Sequence, residues 1–170
     1  MKKIKGFTLI ELMIVVVIVA AIAAITYPNY RDYVEKKDLK DAQQTALRLS
    51  MELERFKNKN FSYKGFNAAH IYPTYNASTG ELYLPLGRDA ASALYKITIV
   101  DEVSKNPLSN TTVLGQNWVM KAERVASGTS LKQPRNFDFL ISSTGKRCMT
   151  KTVNAVAAFV SCGSDAYEQW

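Results

Sequence analysis

Few residues in this 170-residue chain could do chemistry, and most of them stand alone. The single histidine, His70, lies in a stretch rich in Tyr and Asn, with no Ser, Cys or Asp motif directed at it. Two cysteines, Cys148 and Cys162, enclose 13 residues. They form no Cys-x-x-Cys redox motif, and with one distant His they make a poor metal-ligand set. No glycine-rich phosphate loop is present. The residues therefore predict a chain that is not an enzyme and that holds no cofactor and no metal. Two features remain. One is a carboxylate, Glu11, inside a strongly apolar run. The other is a basic group toward the C-terminus.

The element that positions Glu11 is the apolar run. Residues 12–25 are 14 consecutive apolar residues, and counting back to Phe7, across Thr8 and Glu11, gives 19. As a helix this run is about 28 Å long, close to the roughly 30 Å of a bilayer's hydrocarbon. Lys2, Lys3 and Lys5 precede it and no long basic flank comes after it, so its start should face the cytoplasm. A secretory signal, cut near the Ala-rich stretch 20–24, would explain the charge and the apolarity. It would not explain Glu11, because a carboxylate is costly in apolar surroundings. Nor would it explain why Tyr27-Pro28-Asn29-Tyr30 leads directly into a second helical pattern. Both observations favour a retained membrane helix.

The stretch Lys5-Gly6-Phe7-Thr8-Leu9-Ile10-Glu11-Leu12 resembles the class III signal of type IV prepilins and pseudopilins. That signal is a short basic leader ending in Gly, then Phe, with Glu at the fifth position counted from that Phe. The resemblance is close over about the first thirty residues, and in layout it extends along the chain, most of all to PilE-like minor pilins. It implies that a prepilin peptidase cuts after Gly6 and methylates the new N-terminus at Phe7. It also implies a helix that stays, first as an inner-membrane anchor and then as the core of a filament. Within packed apolar helices an unpaired carboxylate and an unpaired ammonium each cost several kcal/mol. Pairing Glu11 of one subunit with the Phe7 amine of its neighbour would neutralise both and set the axial register.

Beyond the run, Pro28 should kink or loosen the helix. Leu39, Ala42, Ala46, Leu49, Leu53 and Phe56 then recur at alternating spacings of 3 and 4, one apolar face of a helix, with Leu47 and Met51 widening the stripe. One long helix over 7–57 is expected, then a connecting loop over 58–93 with a short strand at 81–84. Strands are expected at 95–101, 118–125, 136–143 and 156–162. The predicted class is α+β: a long N-terminal helix, apolar and then amphipathic, on an antiparallel sheet of about four strands, with a disulfide-bounded C-terminal region. The expected organisation is a leader at 1–6, a membrane and filament-core helix at 7–30, and a headgroup at 31–170. Within the headgroup, 31–57 is the amphipathic helix, 58–93 the loop, and 94–170 the sheet and disulfide region.

If the C-terminal part is exported, Cys148 and Cys162 should be oxidised to each other. The basic group is Lys121, Arg124, Lys132, Arg135, Lys146, Arg147 and Lys151, against Glu123 and Asp138 only. Basic loops of this kind could contact DNA phosphates, with Arg135, Lys146, Arg147 and Lys151 as the candidates. The plainer reading is a solvated or subunit-facing surface, with Trp118, Phe137 and Phe139 as core residues of strands. The sequence thus predicts a structural, minor subunit of a type IV pilus, anchored in the inner membrane with its N-terminus cytoplasmic and then polymerised at the cell surface. There it would support twitching motility, adhesion or DNA uptake. Its partners would be other pilin subunits, the peptidase, the membrane and, in one variant, DNA. The alternatives are a DNA-binding competence pilin and a pseudopilin of a type II secretion system. The cysteine pair favours pilin over pseudopilin.

Overall fold

A computed structural model describes residues 7–167. Leader residues 1–6, with the predicted cleavage position Gly6, lie outside the described residues. The chain divides into two compact units, Met1–Glu35 and Lys36–Trp170. A single helix, α1 (Leu9–Asn60), contributes to both and continues through Pro28.

Within the first unit α1 is apolar on all sides, and the side chains from Leu9 to Ile25 are exposed. Proline has no N–H, so the Ala24 carbonyl loses its usual helical donor at position 28. Two polar neighbours bond back to the helix one turn earlier: Thr26 Oγ1 donates to the Ile22 carbonyl (2.9 Å) and Asn29 Nδ2 to the Ile25 carbonyl (3.2 Å).

In the second unit α1 is amphipathic. Leu39, Ala42, Ala46, Leu49 and Leu53 are buried as their spacing predicts, and Phe56 packs at the edge of the same core. Leu47 and Met51 do not widen this stripe: they are 37% and 56% exposed. Leu47 lies about 100° around the helix from Ala46, and Met51 about 160° from Leu49 and Leu53, so both point away from the buried face. The helix also ends three residues later than predicted, at Asn60. Phe61 stops it by adopting a left-handed conformation (φ 59°) and donating its N–H to the Lys57 carbonyl (2.6 Å).

A five-stranded antiparallel sheet packs on this half of the helix. Its strands are β1 (Glu81–Leu84), β2 (Tyr95–Asp101), β3 (Trp118–Arg124), β6 (Asp138–Ser142) and β7 (Arg147–Thr150), in the order β1-β2-β3-β6-β7. A small hairpin, β4 (Ala126–Ser127) with β5 (Ser130–Leu131), interrupts the meander between β3 and β6. Alternation along the strands gives the sheet two different faces. Tyr95, Ile97, Ile99, Trp118, Met120, Ala122, Phe139 and Ile141 join the helix in the main core. Val100, Val119, Leu140 and Cys148 form a second buried cluster with Val156 and Cys162.

The strand predicted at 156–162 does not form. That segment is a run of turns, and the sheet's last strand is β7, where the sequence predicts none. Val156 and Cys162 are buried because they cover the outer face of the sheet, not because they extend it. Asn154 and Phe159 take left-handed conformations (φ 64° and 58°), which no continuing strand allows.

Candidate functional site

The N-terminal site is built from two residues at the start of α1. Thr8 is the residue before the first helical position, and Glu11 is the third residue of the helix. The Thr8 hydroxyl accepts the Glu11 N–H (3.3 Å) and donates to Glu11 Oε2 (2.8 Å). The Thr8 N–H donates to the same oxygen (3.0 Å). This is a capping box, in which a Thr-x-x-Glu spacing satisfies two donors that a helix start otherwise leaves unpaired. A negative group in the first turn also complements the helix dipole. Thr8 is the residue that sequence reasoning misses here, although the Thr8-Leu9-Ile10-Glu11 spacing carries the signal. Both bonds to the carboxylate fall on Oε2, so Oε1 takes no part in the cap.

Around this cap the surface is apolar. Phe7 is 82% exposed, and the most apolar 18-residue window of α1 is entirely unburied. By length and composition this part of α1 can cross a membrane. A continuous apolar surface of this extent is a contact surface, because water does not tolerate it as a free face.

In the head, the basic residues that are neighbours in sequence have separate fates. Arg124 and Asp138 form a buried ion pair, with Nε 2.9 Å from Oδ1. Arg124 also donates to the carbonyls of Asn136 (2.7 Å) and Lys151 (2.8 Å). Lys121 pairs with Glu123 (3.1 Å), donates to the Ala157 carbonyl (3.3 Å) and lies over the Phe159 ring (4.4 Å). Lys105 and Lys146 reach the carbonyls of Phe159 (3.3 Å) and Val160 (2.6 Å). Lys132 bonds the carbonyls of Ala91 and Ala93. The apparent basic cluster is thus largely a set of clamps. Lys121, Arg124 and Lys146 of the cluster, together with Lys105, hold the backbone of the segment 151–160, which has no ladder of its own.

The four predicted DNA contacts, Arg135, Lys146, Arg147 and Lys151, are exposed. Lys146 is one of the clamps, and the Lys151 ammonium lies 4.9 Å from the centre of the Phe137 ring. Trp118 and Phe139 are core residues, and Phe137 packs edge-on against Tyr167. Cys148 and Cys162 are disulfide-bonded, tying 151–160 to β7 from beneath. His70 is exposed, beside Glu52 (3.7 Å) and the Asn67 carbonyl (3.2 Å). Among the described residues no three His, Cys, Asp or Glu side chains come together as a metal site.

No curated protein and no solved structure matches the chain significantly. One family model does, that of the prokaryotic N-terminal methylation motif, over residues 1–27. Those residues include the capped start of α1 and its whole apolar run. In this N-terminal part the chain is similar to type IV pilins and pseudopilins and carries their class III signal. The signal implies processing by prepilin peptidase and assembly with other pilin-like subunits. The motif and the apolar helix fit anchoring in the inner membrane before assembly.

Proposed function

We propose that this chain is a structural, minor subunit of a type IV pilus. Prepilin peptidase removes residues 1–6 and methylates Phe7. Residues 7–30 span the inner membrane with the N-terminus on the cytoplasmic side, and 31–170 form the headgroup outside. The observation that carries the reading is the continuity of α1. One helix begins in a methylation motif, presents an exposed apolar surface, and then contributes Leu39 to Leu53 to the core of a disulfide-closed head.

Glu11 is the assembly residue in this reading. Its cap uses only Thr8 and Glu11, both downstream of the cut, so it persists after processing. In the membrane the cap gives Glu11 Oε2 its partners within the same chain. In a filament the remaining oxygen is available to the Phe7 amine of a neighbouring subunit, which neutralises both charges. The subunit is a substrate of the peptidase and performs no catalysis itself. The disulfide-bonded head favours a pilin over a secretion pseudopilin. DNA binding by Arg135, Lys146, Arg147 and Lys151 is not part of the proposal, because two of the four are engaged with Val160 and Phe137.

Mass spectrometry of the mature N-terminus tests the processing. A methylated Phe7 is expected, and a start near Ala24 would overturn the reading. Glu11→Ala should insert in the membrane as well as the parent chain and lose in competition for filament incorporation. Equal incorporation would remove the register role.

A further inference from the structure

Tyr27, Tyr30 and Tyr33 come after the apolar run at intervals of three and are 66%, 65% and 69% exposed. In the head, Tyr63, Tyr72, Tyr75 and Tyr95 are buried in the core, Tyr83 is half-buried, and the exposed Tyr167 packs edge-on against Phe137. Three exposed aromatic rings on one helix need a different account. At about 100° and 1.5 Å per residue they occupy an arc of about 120° and rise about 9 Å from first to last. The polarity of the chain changes over the same turns. Thr26, just before them, and Asn29, between the first two, satisfy their side chains on their own helix, as polar groups next to hydrocarbon must. Charges begin between the last two, at Arg31 and Asp32, and continue above them with Glu35, Lys36 and Lys37.

We propose that Tyr27, Tyr30 and Tyr33 form an interfacial anchor that fixes the depth of the membrane helix against the headgroup layer of the outer leaflet. The inference rests on the reading that residues 7–30 span the membrane. Tyrosine suits this layer because its ring is apolar and its hydroxyl needs a wet partner. The rise of about 9 Å is of the order of one headgroup layer, since a bilayer of roughly 40–45 Å encloses about 30 Å of hydrocarbon. The anchor has a consequence at the other end of the span. Glu11 lies 16 residues before Tyr27, about 24 Å along the helix axis. With Tyr27 at the outer boundary of the hydrocarbon, the Thr8–Glu11 cap comes within one or two turns of the inner boundary. The carboxylate is then held where water and headgroups can reach it, and its residence in the membrane is tolerable.

The test uses the full chain in vesicles of phosphatidylethanolamine and phosphatidylglycerol, with lipids brominated either near the carbonyls or near the chain ends. In Tyr30→Trp, the added fluorescence should be quenched at least about twofold more by shallow bromines than by deep ones. Trp118 and Trp170 are common to the variant and the parent chain, so their background is subtracted with the parent chain under the same lipids. In a second chain Ile18→Trp reports the middle of the span. Adding Tyr27→Ser, Tyr30→Ser and Tyr33→Ser to that chain should move its quenching from deep toward shallow, with flotation retained. Two results would overturn the anchor while leaving the membrane reading in place. One is quenching of the Tyr30→Trp fluorescence equally or more by deep bromines. The other is a depth at position 18 that the triple replacement leaves unchanged. Failure of the parent chain to float with the vesicles would overturn both.

Discussion

The two faces of the head's sheet are covered by opposite means. The inner face meets α1, a regular element whose own backbone is satisfied, so only side chains need to fit. Its contacts are Leu, Ile, Ala, Met and aromatic residues. The outer face meets the segment 151–160, a run of turns whose carbonyls have no ladder to accept. Carbonyls outside a ladder take their donors from side chains or water. Here Lys105, Lys121 and Arg124 donate to part-buried carbonyls of the segment and Lys146 to the exposed Val160 carbonyl, and a disulfide holds the segment down. A regular cover therefore packs mainly through hydrophobic side chains, with few polar contacts such as Trp118 Nε1 donating to Glu54, whereas the irregular cover adds cations and a covalent tie.

The largest effect should come from the ionic side. Arg124→Met leaves Asp138 buried without its charge partner, which costs about 3–5 kcal/mol. Adding Asp138→Leu to Arg124→Met should recover much of that loss, because the pair is then replaced rather than broken. Urea unfolding monitored by far-UV circular dichroism measures both. A double variant as unstable as the single one would show that the pair's hydrogen bonds to backbone matter more than its charge.

On the inner face, Leu49→Ala should cost about 2–5 kcal/mol. The mechanism differs, since a cavity opens and no charge is stranded. Accordingly the loss should not change with salt. A salt-dependent loss would blur the distinction between the two faces.

Replacing Cys148 and Cys162 by Ser should cost about 3 kcal/mol for a loop of this size. The damage should be local as well as global. Limited proteolysis should cut within 151–160 before the head unfolds, since cations alone then hold that segment. Protection equal to the oxidised protein would mean that the clamps suffice and the disulfide is redundant.

The smallest effect tests the seam between helix and loop. Asp38 on α1 accepts a hydrogen bond from Gln133, and partial burial raises its pKa above the usual aspartate value. A raised folded-state pKa means that the folded protein holds the proton more tightly than the unfolded chain. The associated stability is present below the ordinary aspartate range and is lost as pH rises through the raised value. Asp38→Asn should therefore flatten the fall in stability with rising pH in the acidic range. It should leave the protein at neutral pH no less stable than the parent. An unchanged pH slope, from melting temperatures across that range, would remove Asp38 as the source.

Local patterns determined much of this protein. The apolar run, the alternating 3 and 4 spacing of Leu39 to Leu53, and the strands near 95–101, 118–125 and 136–143 are each set by residues a few positions apart. Periodicity reports such elements directly. The Thr8–Glu11 cap is equally local and is legible in its spacing. What only the tertiary structure decided depends on residues distant in the chain. Segment 156–162 has the apolar content of a strand, but β7 takes the sheet edge, and the disulfide lays the segment over the outer face instead. Leu47 and Met51 have the composition of core residues, but the width of the sheet beneath α1 leaves them outside. The basic residues after 119 add up to a patch in sequence. In the fold Arg124 meets the buried Asp138, Lys121 and Lys146 meet carbonyls of 151–160, Lys132 meets those of Ala91 and Ala93, and Arg135, Arg147 and Lys151 stay at the exposed surface. Charge counted along a chain measures how many cations there are, and only packing decides what each one meets.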